Sequence, residues 1–322
     1  MKRLIFSIAS TILILLLLPL SAQAARLLIP GGQIIGLQLQ NGSLTVAAFD
    51  DGYGASAREA GLKIGDEILS VNNEKVSCVE EIRSVLAGMK GPVSIRLRRN
   101  GKEQSLTITP QQTSSGPRLG IHLKEGITGI GTVTWYDPET GMFGTLGHGV
   151  SDAGGKLLKM ARGTAYTAQV ISVKKGSCGD PGLLKGSAEG LGICGNLLRN
   201  TPQGVFGVTS QGWQGKPLEI ADYEEITPGA AAIHSTVSGS TVQEYSVEIL
   251  KIYPEDRPDG RNFLIRVSDP KLLATTGGIV QGMSGSPIIQ NGKLVGAVTH
   301  VLVNDPTRGY GIFIENMLEA AE

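Results

Sequence analysis

An excess of charge of either sign is the first thing this chain of 322 residues lacks: 29 Lys and Arg stand against 29 Asp and Glu, so the formal net charge is zero. No basic face dominates, which argues against nucleic acid as a partner. The cluster Arg96, Arg98, Arg99 and Lys102 reads as the solvated side of a hairpin. Cysteine is scarce. Cys78, Cys178 and Cys194 are an odd set and do not make a disulfide framework, although an oxidising compartment could join Cys178 to Cys194. No pair has metal-ligand spacing, and the H-E-x-x-H run of a zinc hydrolase is missing, so neither a metal nor an organic cofactor is expected. Aromatic residues make up only 5% of the chain. Beyond the first twenty residues no apolar run approaches the roughly 20 residues needed to cross a bilayer.

What is abundant is glycine, 45 residues, within a chain that is 41% apolar. Without a collagen-like period, that combination suits many short strands joined by Gly-containing turns. Lys2 and Arg3, the apolar run Leu4–Leu18, the break at Pro19 and the small residues of Ala22-Gln23-Ala24 make residues 1–24 an export signal, either cleaved or retained as a membrane anchor. The rest of the chain is then expected outside the cytoplasmic membrane.

Residues 33–111 form one coherent unit. Ile35-Gly36-Leu37-Gln38-Leu39 and Leu44–Phe49 read as strands and Ala57–Ala60 as a helical turn. Val79, Ile82, Val85 and Leu86 mark one face of a helix that ends before Gly88. Val93, Ile95 and Leu97 alternate with Ser94, Arg96 and Arg98, and Asn100-Gly101 turns that strand into a hairpin. The string GLKIGDEILSVNNEKV, from Gly61 to Val76, resembles the PDZ domain in the circular permutation common in bacterial proteases. The resemblance implies that a peptide adds to a strand edge, with Gly36 and Leu37 in the carboxylate-binding loop and Leu39 on the strand beside it. Gln111–Pro117 reads as a polar linker to a second domain, residues 118–322. There Thr132–Tyr136 with Met142–Leu146, and Ile288–Gln290 with Lys293–Val298, predict hairpins of a β sandwich or barrel.

Gly282-Met283-Ser284-Gly285-Ser286-Pro287 carries the chemistry. A serine that attacks a carbonyl needs backbone N–H groups aimed at the developing oxyanion, and glycines flanking Ser284 let those of Gly282 and Ser284 point the same way. The pattern G-x-S-G-x-P before a hairpin is that of chymotrypsin-like peptidases. A serine nucleophile needs a base. Among His122, His148, His234 and His300, His148 is the candidate, because Gly147 and Gly149 flank it at a strand end and it precedes the serine. His300, on the strand leaving the serine loop, reads as a buried or edge residue. For the group that orients the imidazole, Asp152, Asp180, Asp222 and Asp269 all remain open on spacing alone.

The strings PGGQIIGLQL at Pro30, GIGTVTWYDPETGMFGTLGHGVSD at Gly129 and DPKLLATTGGIVQGMSGSPIIQNGKLVGAVTHV at Asp269 resemble the sporulation peptidase family typified by stage IV sporulation protein B. The resemblance implies a mainly β protein, an α+β PDZ domain followed by a chymotrypsin-like double β-barrel, with Ser284, His148 and Asp269 as the catalytic set. It further implies export into the space between the two membranes of a developing spore, cleavage of the chain itself near its N-terminus, and cleavage of a regulator of a membrane-embedded metalloprotease that matures a sigma factor. Two alternatives from other classes are a non-catalytic PDZ peptide-binding protein and a general exported quality-control protease.

Overall fold

The structure, a computed structural model, describes residues 26–322 apart from 153, 210, 255, 256, 258 and 259. The expected export signal, residues 1–24, lies outside the described residues. Among the described residues no helix is long and apolar enough to cross a membrane.

The chain begins with strands β1 (Leu27–Pro30) and β2 (Ile34–Gln40). It then makes an excursion through β3 (Leu44–Phe49), α1 (Ala55–Glu59), β4 (Glu67–Val71), α2 (Val79–Leu86), β5 (Val93–Arg99), β6 (Lys102–Ile108) and β7 (Ile121–Lys124). These strands make one sheet in the order β7-β3-β4-β5-β6. Its buried face carries Leu44, Val46, Ile68, Ile95 and Leu97, and α2 lays Ile82 and Leu86 on the same core. Asn100 and Gly101, both at positive φ, make the β5–β6 turn. Asp66, 1% exposed, takes two hydrogen bonds from the Arg99 guanidinium at 2.6 and 2.5 Å. Burial alone would raise the Asp66 pKa; the hydrogen bonds and charge of Arg99 win and hold it below the ordinary value.

After that excursion come β8 (Ile127–Tyr136), β9 (Met142–Thr145), β10 (Arg162–Thr167), β11 (Gln169–Lys174), β12 (Leu183–Ser187), β13 (Ile193–Thr201) and β14 (Gly204–Val208). Antiparallel pairing in the order β9-β14-β13-β10-β2-β8, with β8 returning to β9, closes a six-stranded barrel. A second closed barrel follows from β15 (Gly229–Ser235), β16 (Gln243–Ile252), β17 (Phe263–Val267), β18 (Pro287–Gln290), β19 (Lys293–Leu302) and β20 (Asp305–Phe313), with α3 (Pro270–Thr276) before β18. The double barrel is the expected fold class. The C-terminal helix α4 (Ile314–Ala321) buries Ile314, Met317 and Leu318 against Trp135 and Phe206 of the first barrel and Ala297 and Ile312 of the second, joining the two at the back.

One expectation fails in the sheet. Gly36, Leu37 and Leu39 are not in a peptide-binding loop. They lie in β2, which pairs along both edges, Leu37 with Gly129 of β8 and with Ala165 of β10. No edge is left there for a ligand, and Ile35, Leu37 and Leu39 all face the first barrel's core. The expected linker Gln111–Pro117 is instead part of a small hairpin, Gln111–Thr113 against Gly116–Arg118, and β7 beyond it belongs to the excursion's sheet. The excursion is an insertion between two neighbouring strands of a barrel. Its sheet has β6 at one edge and β7 at the other, and β7, with β3 on one side only, is the edge that lies beside α2. A cavity of about 300 Å³ lies there, lined by Ile82 and Leu86 of α2 with Leu119, Gly120, Ile121 and Leu123.

Candidate active site

His148 is delivered by the turn that ends β9. Leu146 (φ +70°) and Gly147 (φ +68°) are both left-handed. For a bulky leucine that costs on the order of 1–3 kcal/mol. Burial of Leu146 in the first barrel's core holds it there. His148 itself is half-buried. Its Nδ1 lies 3.0 Å from the Gly149 carbonyl oxygen, which can only accept. That contact places the proton on Nδ1 and leaves the lone pair on Nε2, the tautomer a general base needs. Burial pushes the His148 pKa below its ordinary value, against the smaller raising effect of the Gly149 carbonyl, so the ring is neutral at neutral pH.

Ser284 sits in the loop between α3 and β18, and the first barrel straps that loop down. The Thr132 N–H donates to Ser284 O at 3.0 Å and Thr132 Oγ1 to Gly282 O at 2.8 Å. Gly285 (φ +97°) passes so close that a Cβ there would meet Thr132 O at 2.0 Å; only glycine fits. Within the loop the N–H groups of Gln281, Met283, Gly285 and Ser286 all donate to backbone carbonyls, while those of Gly282 and Ser284 make no such bond among the described residues. The Ser284 hydroxyl donates to the Thr299 carbonyl of β19 at 2.8 Å. The next residue on that strand, His300, lays its ring against His148 with centroids 5.3 Å apart. Ser284 and His148 line one cavity of about 240 Å³.

Asp269 does not join them. It is the N-cap of α3: Oδ1 accepts the Leu272 N–H at 2.9 Å, and the Ser246 N–H lies 3.4 Å from Oδ2. It is absent from the cavity wall that His148 and Ser284 share. The other aspartates are also engaged elsewhere. Asp152 takes the N–H groups of Gly154 and Lys156, Asp180 pairs with Lys174, and Asp222 caps a short helical turn. Asp269 caps the helix that precedes the Ser284 loop, and the group that touches the His148 ring nitrogen is a backbone carbonyl. His122 is exposed on β7, and His234 faces Glu244 on the second barrel. The three cysteines are free thiols, Cys178 exposed and Cys78 and Cys194 buried.

Known proteins resemble both parts of the chain. Residues 115–318 match the family SpoIVB peptidase S55, and residues 34–109 match the PDZ domain. The PDZ match thus includes β2, which the structure builds into the first barrel. Zinc metalloprotease RasP of Geobacillus kaustophilus is 38% identical over 68 residues, 20% of this chain and 16% of that protein. A probable periplasmic serine endoprotease DegP-like of Marinomonas sp. is 28% identical over 105 residues, 32% of this chain and 22% of that protein. The chain thus spans well under a third of these relatives' lengths, and the metalloprotease likeness falls on the PDZ part. Among solved structures, the active form of the Rv3671c protease from M. tuberculosis aligns with a TM-score of 0.36 at 16% identity, covering 61% of this chain and 73% of that one.

Proposed function

Because the chain belongs to the SpoIVB peptidase S55 family and is a PDZ-containing serine endopeptidase, we propose that Ser284 is its nucleophile and His148 its base. The observation that carries this assignment is the shared cavity, with the lone-pair nitrogen of a neutral imidazole on one wall, the hydroxyl on another, and the uncommitted N–H groups of Gly282 and Ser284 beside it. To react, the hydroxyl leaves the Thr299 carbonyl and gives its proton to His148 Nε2 while Oγ bonds to the peptide carbonyl carbon. The two N–H groups hold the resulting oxyanion. The imidazolium then protonates the departing amine, and water releases the acyl group by the same proton path. The Gly149 carbonyl keeps the proton of Nδ1 in place throughout, a task that falls to a carboxylate in the usual triad.

The biological reading adds export, self-cleavage near the N-terminus, and cleavage of a regulator of a membrane-embedded metalloprotease during sporulation. Family membership supports it. Substrate capture falls to the groove between α2 and β7, where a free strand edge runs beside apolar side chains.

The test is labelling by a serine-reactive fluorophosphonate together with intact-mass measurement of the purified chain. Wild type is expected to label and to lose N-terminal residues; Ser284→Ala should do neither. A folded wild type that fails to label overturns the peptidase assignment and leaves a peptide-binding protein.

A further inference from the structure

On β2 the residues Leu39, Leu37 and Ile35 belong to the first barrel's core, and opposite them in register on β8 stand Ile127, Gly129 and Gly131. Ile127 packs against that core, and Gly129, which is exposed, stands at its mouth. At Gly131 a Cβ would lie 2.3 Å from Leu146, so that glycine is filled in by its neighbour. At Gly129 a Cβ would meet nothing within 4 Å, and φ is not in the left-handed region, so neither packing nor backbone conformation demands a glycine there. A side chain is simply missing from the barrel's mouth. The space it leaves is the cavity that Ser284 and His148 border, and Leu37, Leu39, Ile127, Leu146 and Val150 make its walls.

We infer that this cavity at the mouth of the first barrel, opened by Gly129, receives an aliphatic side chain of the substrate next to the scissile bond, and that Gly129 and Ile127 set the size it accepts. The inference rests on Ser284 and His148 being the reacting pair. The wall contains no charged residue; its polar members are Gln281 and the two reacting side chains. A Lys, Arg, Asp or Glu entering it would shed its water with no counter-ion, a cost of several kcal/mol. An aliphatic group gains the ordinary benefit of burial. At about 240 Å³ the cavity exceeds the roughly 150 Å³ apolar cavity that is known to hold benzene in another protein, so a Val, Leu or Ile side chain fits without rearrangement. The position of the reactive groups selects a substrate side chain over a free apolar ligand. Whatever fills the cavity lies against the nucleophile, so its attached backbone is held at Ser284.

The discriminating experiment digests a proteome-derived peptide mixture with the full chain and identifies the cuts by mass spectrometry, in parallel with fluorophosphonate labelling. Wild type is expected to enrich Val, Leu or Ile at one position flanking the cut. Gly129→Leu, which plugs the space, should shift that position toward Gly, Ala and Ser, with the aliphatic-to-small ratio of kcat/KM falling roughly tenfold or more. Ile127→Ala, which enlarges it, should raise acceptance of Phe, and it supplies the test if Gly129→Leu does not fold. A wild type that labels but enriches charged residues, or variants whose cutting profile matches wild type, overturns this inference alone. A folded wild type that neither labels nor cuts removes the assignment of Ser284 and this inference with it.

Discussion

The two barrels have the same six-stranded closure and different ways of being encoded. The second runs without interruption from Gly229 to Phe313. The first takes one strand from Ile34–Gln40 and the rest from Ile127–Val208, with an entire PDZ domain threaded between two strands that lie side by side. Each barrel supplies one half of the proposed reacting pair, His148 from the first and Ser284 from a loop of the second, and Thr132 of the first ties that loop in place. The proposed active site is therefore only as well built as the contact between barrels, and that contact depends on a strand lying far upstream of everything else in the two barrels.

The largest effect should come from removing that strand. A chain beginning at residue 41 is expected to keep a folded PDZ sheet, since no residue of that core lies before Leu44, but to lose the first barrel and all fluorophosphonate labelling. Its counterpart, a chain in which a two- or three-residue turn joins Gln40 directly to Ile127, should still close the barrel and label, because Leu39 and Ile127 are already paired. Failure of that excised form to fold would show that the PDZ unit is structurally required and the barrels are not self-sufficient.

Next in size, Gly285→Ala sets a methyl group against the Thr132 carbonyl at 2.0 Å and asks alanine for φ +97°. A loss of about 2–3 kcal/mol in denaturant unfolding is expected, with labelling reduced beyond what stability explains, since the strap between barrels is what moves. Asp269→Ala should cost about 1 kcal/mol, the usual worth of a helix N-cap. Asp269→Asn, which can still cap, should restore both stability and kcat/KM. An Asn variant that is stable yet catalytically dead would give Asp269 a direct role in proton transfer and break the contrast between it and the Gly149 carbonyl.

The smallest effect is on pH dependence. A base works when neutral, and burial has moved the His148 pKa below the ordinary 6.5. If His148 is the base, kcat/KM should therefore rise with pH through an inflection that lies below 6.5, so that the enzyme is already more than half active at that pH. An inflection at or above 6.5 would mean that His148 is more solvated, or more strongly paired with an anion, than its surroundings indicate.

The readings of individual segments from sequence succeeded where the pattern is local. Val79–Leu86 is a helix, Asn100-Gly101 a hairpin turn, and Ile288–Gln290 with Lys293 onward a pair of barrel strands, because spacing and turn chemistry decide each of them. Ile35-Gly36-Leu37 was misplaced because an apolar-Gly-apolar run suits either a PDZ ligand loop or a barrel strand. The run Leu119-Gly120-Ile121 has the same form and occupies the place beside α2. Choosing between them takes a long-range pairing that sequence does not display. Asp269 was legible in another way. Asp followed by Pro is a helix-start signature, and the structure uses it as one. The Gly149 and Thr299 carbonyls left no signal, since backbone groups bear no residue identity, and the contact of the His300 ring with His148 needs the two barrels face to face.

Nesting one domain inside a barrel also sets an order of assembly. As the polypeptide leaves the ribosome, β2 emerges with no partner, and both of its neighbours are still to be synthesised. The PDZ unit, complete by Lys124, can fold first and in doing so draws Gln40 and the residues after it to within one turn of each other. What would have been the closure of a loop of more than eighty residues becomes a local hairpin, with most of its entropic cost already met. The inserted PDZ domain is in this sense a built-in folding clamp for the barrel that carries His148.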